Sequence, residues 1–149
     1  MILAIQRVTR AAVRVAGDTV GEIGRGLVVF GCVDPGDDAD SIDQAAKKTA
    51  ELRVFEDENG KMNRDVAEAK GAILAVSQFT LGADLSRGRR PGFEGAARPE
   101  VAEPLFDQYV ATLRAYGVPV STGRFRAAMQ VELVNDGPAT FVWRSKTRA

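Results

Sequence analysis

The chain has 149 residues, 45% of them hydrophobic and 27% charged, and its 20 basic and 20 acidic side chains leave no formal net charge. This composition is typical of a globular domain with its own core, and it lacks the excess of positive charge that marks many nucleic-acid-binding proteins. With no histidine and a single cysteine, the chain cannot form a Ser-His-Asp or Cys-His catalytic site, a histidine metal site or a thiolate zinc site.

The first half of the chain predicts three strands that alternate apolar and polar residues, then a buried strand and a helix. The alternating strands are residues 1–8, 12–16 and 19–23. Gly17-Asp18 is a turn that would join the last two as a hairpin. The continuous apolar run at 27–33 is typical of a strand buried on both faces. Apolar residues at helical spacing predict an amphipathic helix over 41–55, and a turn follows at 57–60.

The second half predicts a buried strand over 72–80, a long loop, a second helix and several short strands. Loop 82–98 is rich in Gly and Arg, a composition typical of a functional loop. The helix begins near Pro99 and ends before Gly117. The short strands are 118–120, 127–134 and 140–143, with a turn at 135–138 before the last. This order predicts an α+β fold in one domain over 1–149, with a mostly antiparallel, barrel-like sheet flanked by two helices.

Other features of the sequence concern location and surface. The longest apolar run is too short to span a bilayer, and the first residues alternate like a strand rather than resemble a signal peptide. We therefore expect a cytoplasmic protein with no membrane partner. Cys32 lies within an apolar run, which indicates a small buried hydrophobe rather than a reactive thiol. Two basic runs, at 87–90 and 144–148, are either solvated surface or edges that contact phosphate groups.

Two segments carry polar residues where the fold alone does not require them. Residues 77–80, which are Ser77, Gln78, Phe79 and Thr80, end an apolar strand, so their polar groups and backbone N–H groups would emerge at a sheet edge or pocket. Such groups can stabilise an oxyanion and position a substrate, although an ordinary strand end with hydroxyl caps has the same pattern. Residues 135–138 form either a plain β-turn or a Gly-Pro segment whose carbonyls point in an unusual direction.

Together, SQFTL at 77–81 and NDGPAT at 135–140 resemble the two signature motifs of the D-aminoacyl-tRNA deacylase family. Further segments resemble family segments in the same order, namely 5–11, 21–24, 26–27, 60–63, 90–93, 122–125 and 129–131. The resemblance reaches to about Phe141, and the combination is far more specific than either motif alone. It departs at Gly92, where family members commonly carry Ser, and at Ala139, where they carry Val. Residues 143–149 look like a longer tail than usual.

The resemblance implies an enzyme that hydrolyses the ester between a D-amino acid, or glycine, and the acceptor end of tRNA. Residues 77–80 would line the scissile ester, and Met129 would lie near the terminal adenosine. A ribose hydroxyl of the RNA would assist the attack while backbone donors stabilise the oxyanion, so Thr80 would position the substrate rather than act as the nucleophile. No cofactor and no metal is implied.

The resemblance also implies a homodimer with each site built at the subunit interface. The bond between Gly137 and Pro138 would be cis and would reach into the partner's pocket, where main-chain carbonyls would exclude an L side chain. Arg7 would hold this motif in place. Two alternatives stay open at this point: a catalytically silent dimer of the same fold that binds RNA or protein, and a relative with a trans Gly-Pro bond that admits some L-substrates.

Overall fold

The computed structural model describes residues 1–146. Within them the chain forms a six-stranded sheet, a separate two-stranded hairpin, two α-helices and a short 3₁₀ helix. The strands are β1 (Ile2–Val15), β2 (Asp18–Ile23), β3 (Gly26–Cys32), β4 (Phe55–Glu56), β5 (Met62–Arg64), β6 (Ala72–Ser77), β7 (Val120–Thr122) and β8 (Gln130–Arg144). The helices are α1 (Ala39–Glu51), the 3₁₀ helix (Phe79–Gly82) and α2 (Pro99–Ala115).

Strand β1 organises the main sheet. Its first half pairs with β3 and its second half with β2, while β8 pairs with both halves, and all three pairings are antiparallel. The pairings of β3 with β6 and of β6 with β7 are parallel. The sheet curls until β7 meets β2, where the Ser121 hydroxyl donates a hydrogen bond to the carbonyl oxygen of Glu22 at 3.3 Å. The predicted α+β fold with a mostly antiparallel, nearly closed barrel is confirmed.

Two apolar clusters fill the two faces of this sheet. Leu27 and Val29 of β3 belong to one cluster and Val28 to the other, as the alternation of side chains along a strand requires. Both helices pack against the first cluster, so they cover the same face. The hydroxyl groups of Thr49 in α1 and Tyr109 in α2 are 2.7 Å apart and tie the helices together. The second cluster lies inside the curled sheet and includes Met129 at its border.

Two predicted boundaries are wrong for local reasons. Helix α1 ends at Glu51 rather than at residue 55, because Leu52 is extended (φ −65°, ψ 119°) and Phe55 pairs with Arg64 in the β4–β5 hairpin. Strand β6 ends at Ser77 rather than at residue 80, because the chain turns into the 3₁₀ helix at Phe79. The polar segment 77–80 therefore leaves the sheet instead of ending it.

Long-range pairing overturns other boundaries. The predicted strands 1–8 and 12–16 are two parts of β1, since β8 pairs along its whole length. The predicted strand 127–134 begins only at Gln130, and it forms one strand, β8, with the predicted strand 140–143, so residues 135–138 are not a turn between strands. The short strand predicted at 118–120 is Val120–Thr122. Part of the predicted tail, residues 147–149, lies outside the described residues.

No helix in the described part of the chain is long and apolar enough to cross a membrane. Residues 1–146 also contain no cluster of three or more Cys, Asp or Glu residues placed to hold a metal ion.

Candidate active site

A cavity of about 600 Å³, here called the first cavity, opens where β3 and β6 end. These strands are parallel and Gly31 pairs with Ser77, so Cys32 and Ser77 leave the sheet at the same edge. Ligands commonly bind at the carboxyl ends of parallel strands, where loops diverge. The cavity is lined by Cys32, Val33, Val76, Ser77, Gln78, Phe79, Phe93, Ala96, Ala97, Arg98, Pro99, Ala102, Phe125, Arg126, Ala127, Met129 and Val131.

The structure brings three residues of the 77–80 segment to this cavity. Ser77, Gln78 and Phe79 are among its lining residues, whereas Thr80 is not. The backbone N–H of Gln78 donates to the carbonyl oxygen of Gly31 at 2.8 Å, which fixes where the segment leaves the sheet. The Gln78 side-chain amide donates a short hydrogen bond to the Thr80 hydroxyl oxygen. Thr80 is therefore engaged with Gln78 at the exposed rim.

Phe79 is 57% exposed although it is a large apolar residue. Its ring meets Phe93 edge to face, with the ring centroids 5.2 Å apart. Phe79 is also the first residue of the 3₁₀ helix, and the side chain of the N-cap residue Gln78 caps no backbone N–H there. Because the first N–H groups of a helix have no acceptor within it, those of Phe79 and Thr80 are available to donate hydrogen bonds to a group bound at this edge.

Backbone hydrogen bonds and one close backbone crossing hold loop 83–98 in place beside the cavity. The N–H of Ala97 donates to the carbonyl oxygen of Val33 at 2.9 Å. Gly82 and Gly95 cross so closely that a Cβ on Gly82 would lie 2.8 Å from the carbonyl oxygen of Gly95, so neither position accepts a side chain. Asp84 and Gly92 exchange two backbone hydrogen bonds and close the arginine-rich tip. A Cβ on Gly92 would meet only ordinary contacts, so this departure does not disturb the loop.

The ionisable groups of the first cavity are Cys32, Arg98 and Arg126, and no carboxylate belongs to its described lining. Cys32 is buried, and burial, with the charge of Asp34 adding to it, raises the pKa of its thiol. The prediction of a buried, unreactive cysteine fits this environment. Neither the thiol nor the arginines can serve as a general base near neutral pH, so the cavity binds and positions rather than abstracts protons.

Met129 is half-buried and belongs to the wall that the segment between β7 and β8 contributes to the cavity. A Cβ on Gly123 would lie 2.6 Å from its sulfur, so the glycine leaves the room that this side chain occupies. Phe125 and Arg126 line the same wall. The structure thus brings Met129 together with Ser77, Gln78 and Phe79, as the sequence led us to expect.

The second motif is a bulge in the β1–β8 pairing. Gln6 pairs with Thr140 and Val8 with Asn135, so residues 136–139, here called the Gly-Pro bulge, stand opposite Arg7 alone. Gly137 has φ +147°, and a Cβ there would lie 2.9 Å from the backbone nitrogen of Ala139. Only glycine fits such a position without strain. The Gly137-Pro138 bond is cis, the isomer that the resemblance implied.

Arg7 holds this bulge in place through hydrogen bonds from its buried side chain. It is buried, and its Nε donates to the carbonyl oxygen of Asp136 at 2.9 Å while Nη1 donates to the carbonyl oxygen of Val54 at 2.7 Å. The Asp136 carboxylate lies 3.6 Å from Nε. Gly137 and Pro138, in contrast, are exposed. None of these residues lines the first cavity, so the two motifs are separate within one chain.

The model of the D-Tyr-tRNA(Tyr) deacylase family matches residues 4–144 of this chain. The chain belongs to this family. A D-aminoacyl-tRNA deacylase of Symbiobacterium thermophilum is 60% identical over 138 residues, which cover 93% of this chain and 91% of that protein. One of Shewanella amazonensis is 55% identical and covers 95% and 97%.

Two solved structures share the fold of this chain. A protein described as c-Myc DNA Unwinding Element Binding Protein superposes with a TM-score of 0.92 at 37% identity, covering 99% of this chain and all of that one. A probable eukaryotic D-amino acid tRNA deacylase superposes with a TM-score of 0.83 at 18% identity, covering 95% and 97%, which shows the shared fold.

Asn135 helps to fix the Gly-Pro bulge, and this role was not predicted from the sequence. The Asn135 side chain accepts a hydrogen bond from the N–H of Ala139 at 2.6 Å, and it donates to the carbonyl oxygen of Ala139 and the hydroxyl of Thr140 at 3.3 and 3.1 Å. Asn135 thus holds the Gly-Pro bulge through Ala139 at its last position, whereas Arg7 holds it through Asp136 at its first. An Asn side chain that satisfies backbone groups a few residues on is a known turn signal, and it is present in the sequence.

Proposed function

We propose that this chain is a D-aminoacyl-tRNA deacylase, an enzyme that hydrolyses the ester joining a D-amino acid to the acceptor end of tRNA. Family membership supports this activity, and the residues that line the first cavity are suited to bind the substrate. The cavity presents Ser77, Gln78, Phe79 and Met129 together, with backbone donors at one end and apolar walls elsewhere. Such a lining suits a nucleoside with an attached amino acid.

The proposed mechanism follows from the groups that the first cavity offers. Water attacks the ester carbonyl, and the carbonyl oxygen gains negative charge that the N–H groups of Phe79 and Thr80 stabilise. No histidine exists in the chain and no carboxylate lines the described cavity, so the ribose hydroxyl beside the ester assists the attack. The leaving ribose oxygen takes the proton. Thr80 acts as a positioning residue, because its hydroxyl accepts a hydrogen bond from the side chain of Gln78, which lines the cavity.

We further propose that selectivity comes from the Gly-Pro bulge of a second copy of the chain. A wall that clashes with the wrong enantiomer rejects it more strongly than an apolar pocket can by attraction. The bulge suits this role because Arg7 and Asn135 hold it on both sides while Gly137 and Pro138 stand exposed. Glycine has no side chain to reject, so glycyl-tRNA should also be cut. The enzyme would then be a homodimer with interdependent sites.

Several sequence-based predictions enter this proposal unchanged. They are a single deacylase domain over 1–149, a cytoplasmic location and catalysis without a cofactor. The alternative of a catalytically silent dimer that binds RNA or protein predicts binding of aminoacyl-tRNA without turnover. The alternative of relaxed chirality predicts turnover of L-substrates as well.

The test is hydrolysis of D-tyrosyl-, L-tyrosyl- and glycyl-tRNA by the purified protein after treatment with excess EDTA. We expect rapid release of D-tyrosine and glycine, and L-tyrosine release at the spontaneous rate measured with heat-denatured protein. Binding without release would establish the silent dimer. Comparable D- and L-rates would establish relaxed chirality, and activity that returns only with a divalent ion would refute catalysis without a metal.

A further inference from the structure

A second cavity of about 240 Å³ adjoins the first. The two share Ser77 and Phe125 as walls. The remaining lining comes from the end of β6, one side of α2 and the segment after β7, and consists of Ala75, Phe106, Asp107, Val110, Ala111, Arg114, Thr122, Gly123 and Arg124. It is smaller than the roughly 300–1,000 Å³ of a drug-sized ligand site, so it suits one base rather than a whole aminoacyl-nucleoside.

Three charged side chains line the second cavity, and two of them, Asp107 and Arg124, have no partner among the described residues. The Arg124 guanidinium and the Asp107 carboxylate make no hydrogen bond or ion pair with any residue between 1 and 146. Arg114 donates through Nη2 to the carbonyl oxygen of Val120 at 3.0 Å, which fixes its position and leaves its other N–H groups free of described partners. A small cavity therefore offers a strong donor and a strong acceptor beside apolar walls.

We propose that this cavity binds the penultimate nucleotide of the tRNA acceptor end, which is a cytidine. The proposal rests on the proposed function, because it requires the terminal aminoacyl-adenosine in the first cavity. The next nucleotide is then one phosphate away, beyond the shared wall of Ser77 and Phe125. Arg124 binds that phosphate, since a guanidinium matches the geometry of phosphate oxygens.

The base is recognised by Asp107. A carboxylate accepts a hydrogen bond from the N4 amino group of cytosine, whereas uracil presents an oxygen at that position and is repelled. The apolar walls formed by Phe106, Val110 and Phe125 give the ring a surface to pack on, as in single-strand RNA recognition. One guanidinium for one phosphate also fits a chain with no net charge.

The experiment compares substrates that contain or lack this nucleotide. D-tyrosyl-adenosine and a D-tyrosyl cytidylyl-adenosine dinucleotide are hydrolysed by the wild type, by Arg124→Gln and by Asp107→Asn. Lys47→Gln, an exposed lysine on α1, is the matched control for the loss of one positive charge. Thermal unfolding verifies that each variant is folded.

For Arg124→Gln we expect KM for the dinucleotide to rise about tenfold, the effect of losing one charge-assisted hydrogen bond. Its kcat and all constants for D-tyrosyl-adenosine should stay unchanged. The plot of log KM against log salt should flatten by about 0.7, one phosphate contact on a single strand. Wild type should prefer the cytidylyl to the uridylyl dinucleotide, and Asp107→Asn should reduce that preference.

Equal behaviour of the variants and Lys47→Gln on both substrates would overturn the cytidine site while leaving the deacylase function intact. If the wild type hydrolyses D-tyrosyl-tRNA but gains nothing from the added cytidine of the dinucleotide, the cytidine site is overturned and the proposed function stands; if it hydrolyses neither small substrate nor D-tyrosyl-tRNA, the proposed function itself fails. A preference for the cytidylyl dinucleotide that survives in Asp107→Asn would show that Asp107 does not recognise the base.

Discussion

Residues 77–80 and the Gly-Pro bulge differ in whether their own chain forms a binding cavity around them. Residues 77–80 leave a strand edge and help to form a cavity with walls from their own chain. The Gly-Pro bulge is held as firmly, by Arg7 and Asn135, yet contributes to no wall of that cavity. Buried Arg7 binds two carbonyl oxygens and so holds the exposed bulge in place, and in the proposed function this bulge acts on the cavity of a second copy. The difference leads us to treat the chain as two half-sites.

The largest effect should come from the substrate rather than from residues 77–80. A D-tyrosyl-tRNA whose terminal ribose lacks the 2′-hydroxyl should be cut about a hundredfold or more slowly, the usual effect of losing acid–base assistance. Thr80→Ala should slow the normal substrate by less than about tenfold, since backbone donors survive the change. Single-turnover kinetics measure both. A folded Thr80→Ala protein without turnover, together with normal cleavage of the deoxy substrate, would identify Thr80 as the nucleophile.

The second effect tests the half-site made by the Gly-Pro bulge. Arg7→Ala removes hydrogen bonds to Asp136 and Val54, so unfolding should become easier by about 3 kcal/mol and D-tyrosyl-tRNA hydrolysis should fall about a hundredfold. Arg10→Ala, on the same strand with an exposed ion pair to Glu132, is the control and should cost less than about 1 kcal/mol. Denaturant unfolding and deacylation of D- and L-charged tRNA measure this. If Arg7→Ala hydrolyses D-tyrosyl-tRNA at the wild-type rate and still does not hydrolyse L-tyrosyl-tRNA, the bulge has no role in activity or selectivity.

The smallest effect concerns Cys32, which lies beneath residues 77–80. Burial holds the pKa of its thiol above the value of an exposed cysteine, so the folded state keeps the proton more firmly than the unfolded state. The contribution of this thiol to stability is therefore fully present at neutral pH and is lost as the pH rises above about 8.5, where the unfolded thiol ionises. Cys32→Ala should cost about 1 kcal/mol at pH 7 and flatten this alkaline decline. Melting curves from pH 7 to 10 check it; an unchanged slope would show that the thiol does not contribute.

Local sequence patterns predicted much of the fold and of the first cavity. The periodicity over 41–55 and after Pro99 located both helices, because each has a continuous apolar stripe. Residues 77–80 were recognisable because polar residues follow an apolar strand. Family resemblance, not pattern, pointed to Arg7 and Met129, whose neighbours are distant in sequence.

The errors have a common physical cause in non-local pairing. Residues 135–138 have the composition of a turn, yet β1 keeps the chain in one strand on both sides and turns the extra residues into a bulge. The parallel pairing of β3 with β6 brings Cys32 and Ser77 to one edge, and no local pattern encodes it. The second cavity was equally invisible, because Asp107, Arg114 and Arg124 meet only when α2 packs beside the end of β6.

In the proposed function, the cavity of one copy works with the Gly-Pro bulge of another. Phe79→Ala removes the ring that lines the cavity and packs on Phe93, and Arg7→Ala removes the anchor of the bulge, so each variant alone should have little activity. The two chains, carrying different affinity tags, are co-expressed, and the mixed species is isolated through both tags. It contains one site with an intact cavity and an intact bulge, so its activity should return to about half that of the wild type. A mixed species no more active than its two parents, or a fully active monomer, would contradict the claim.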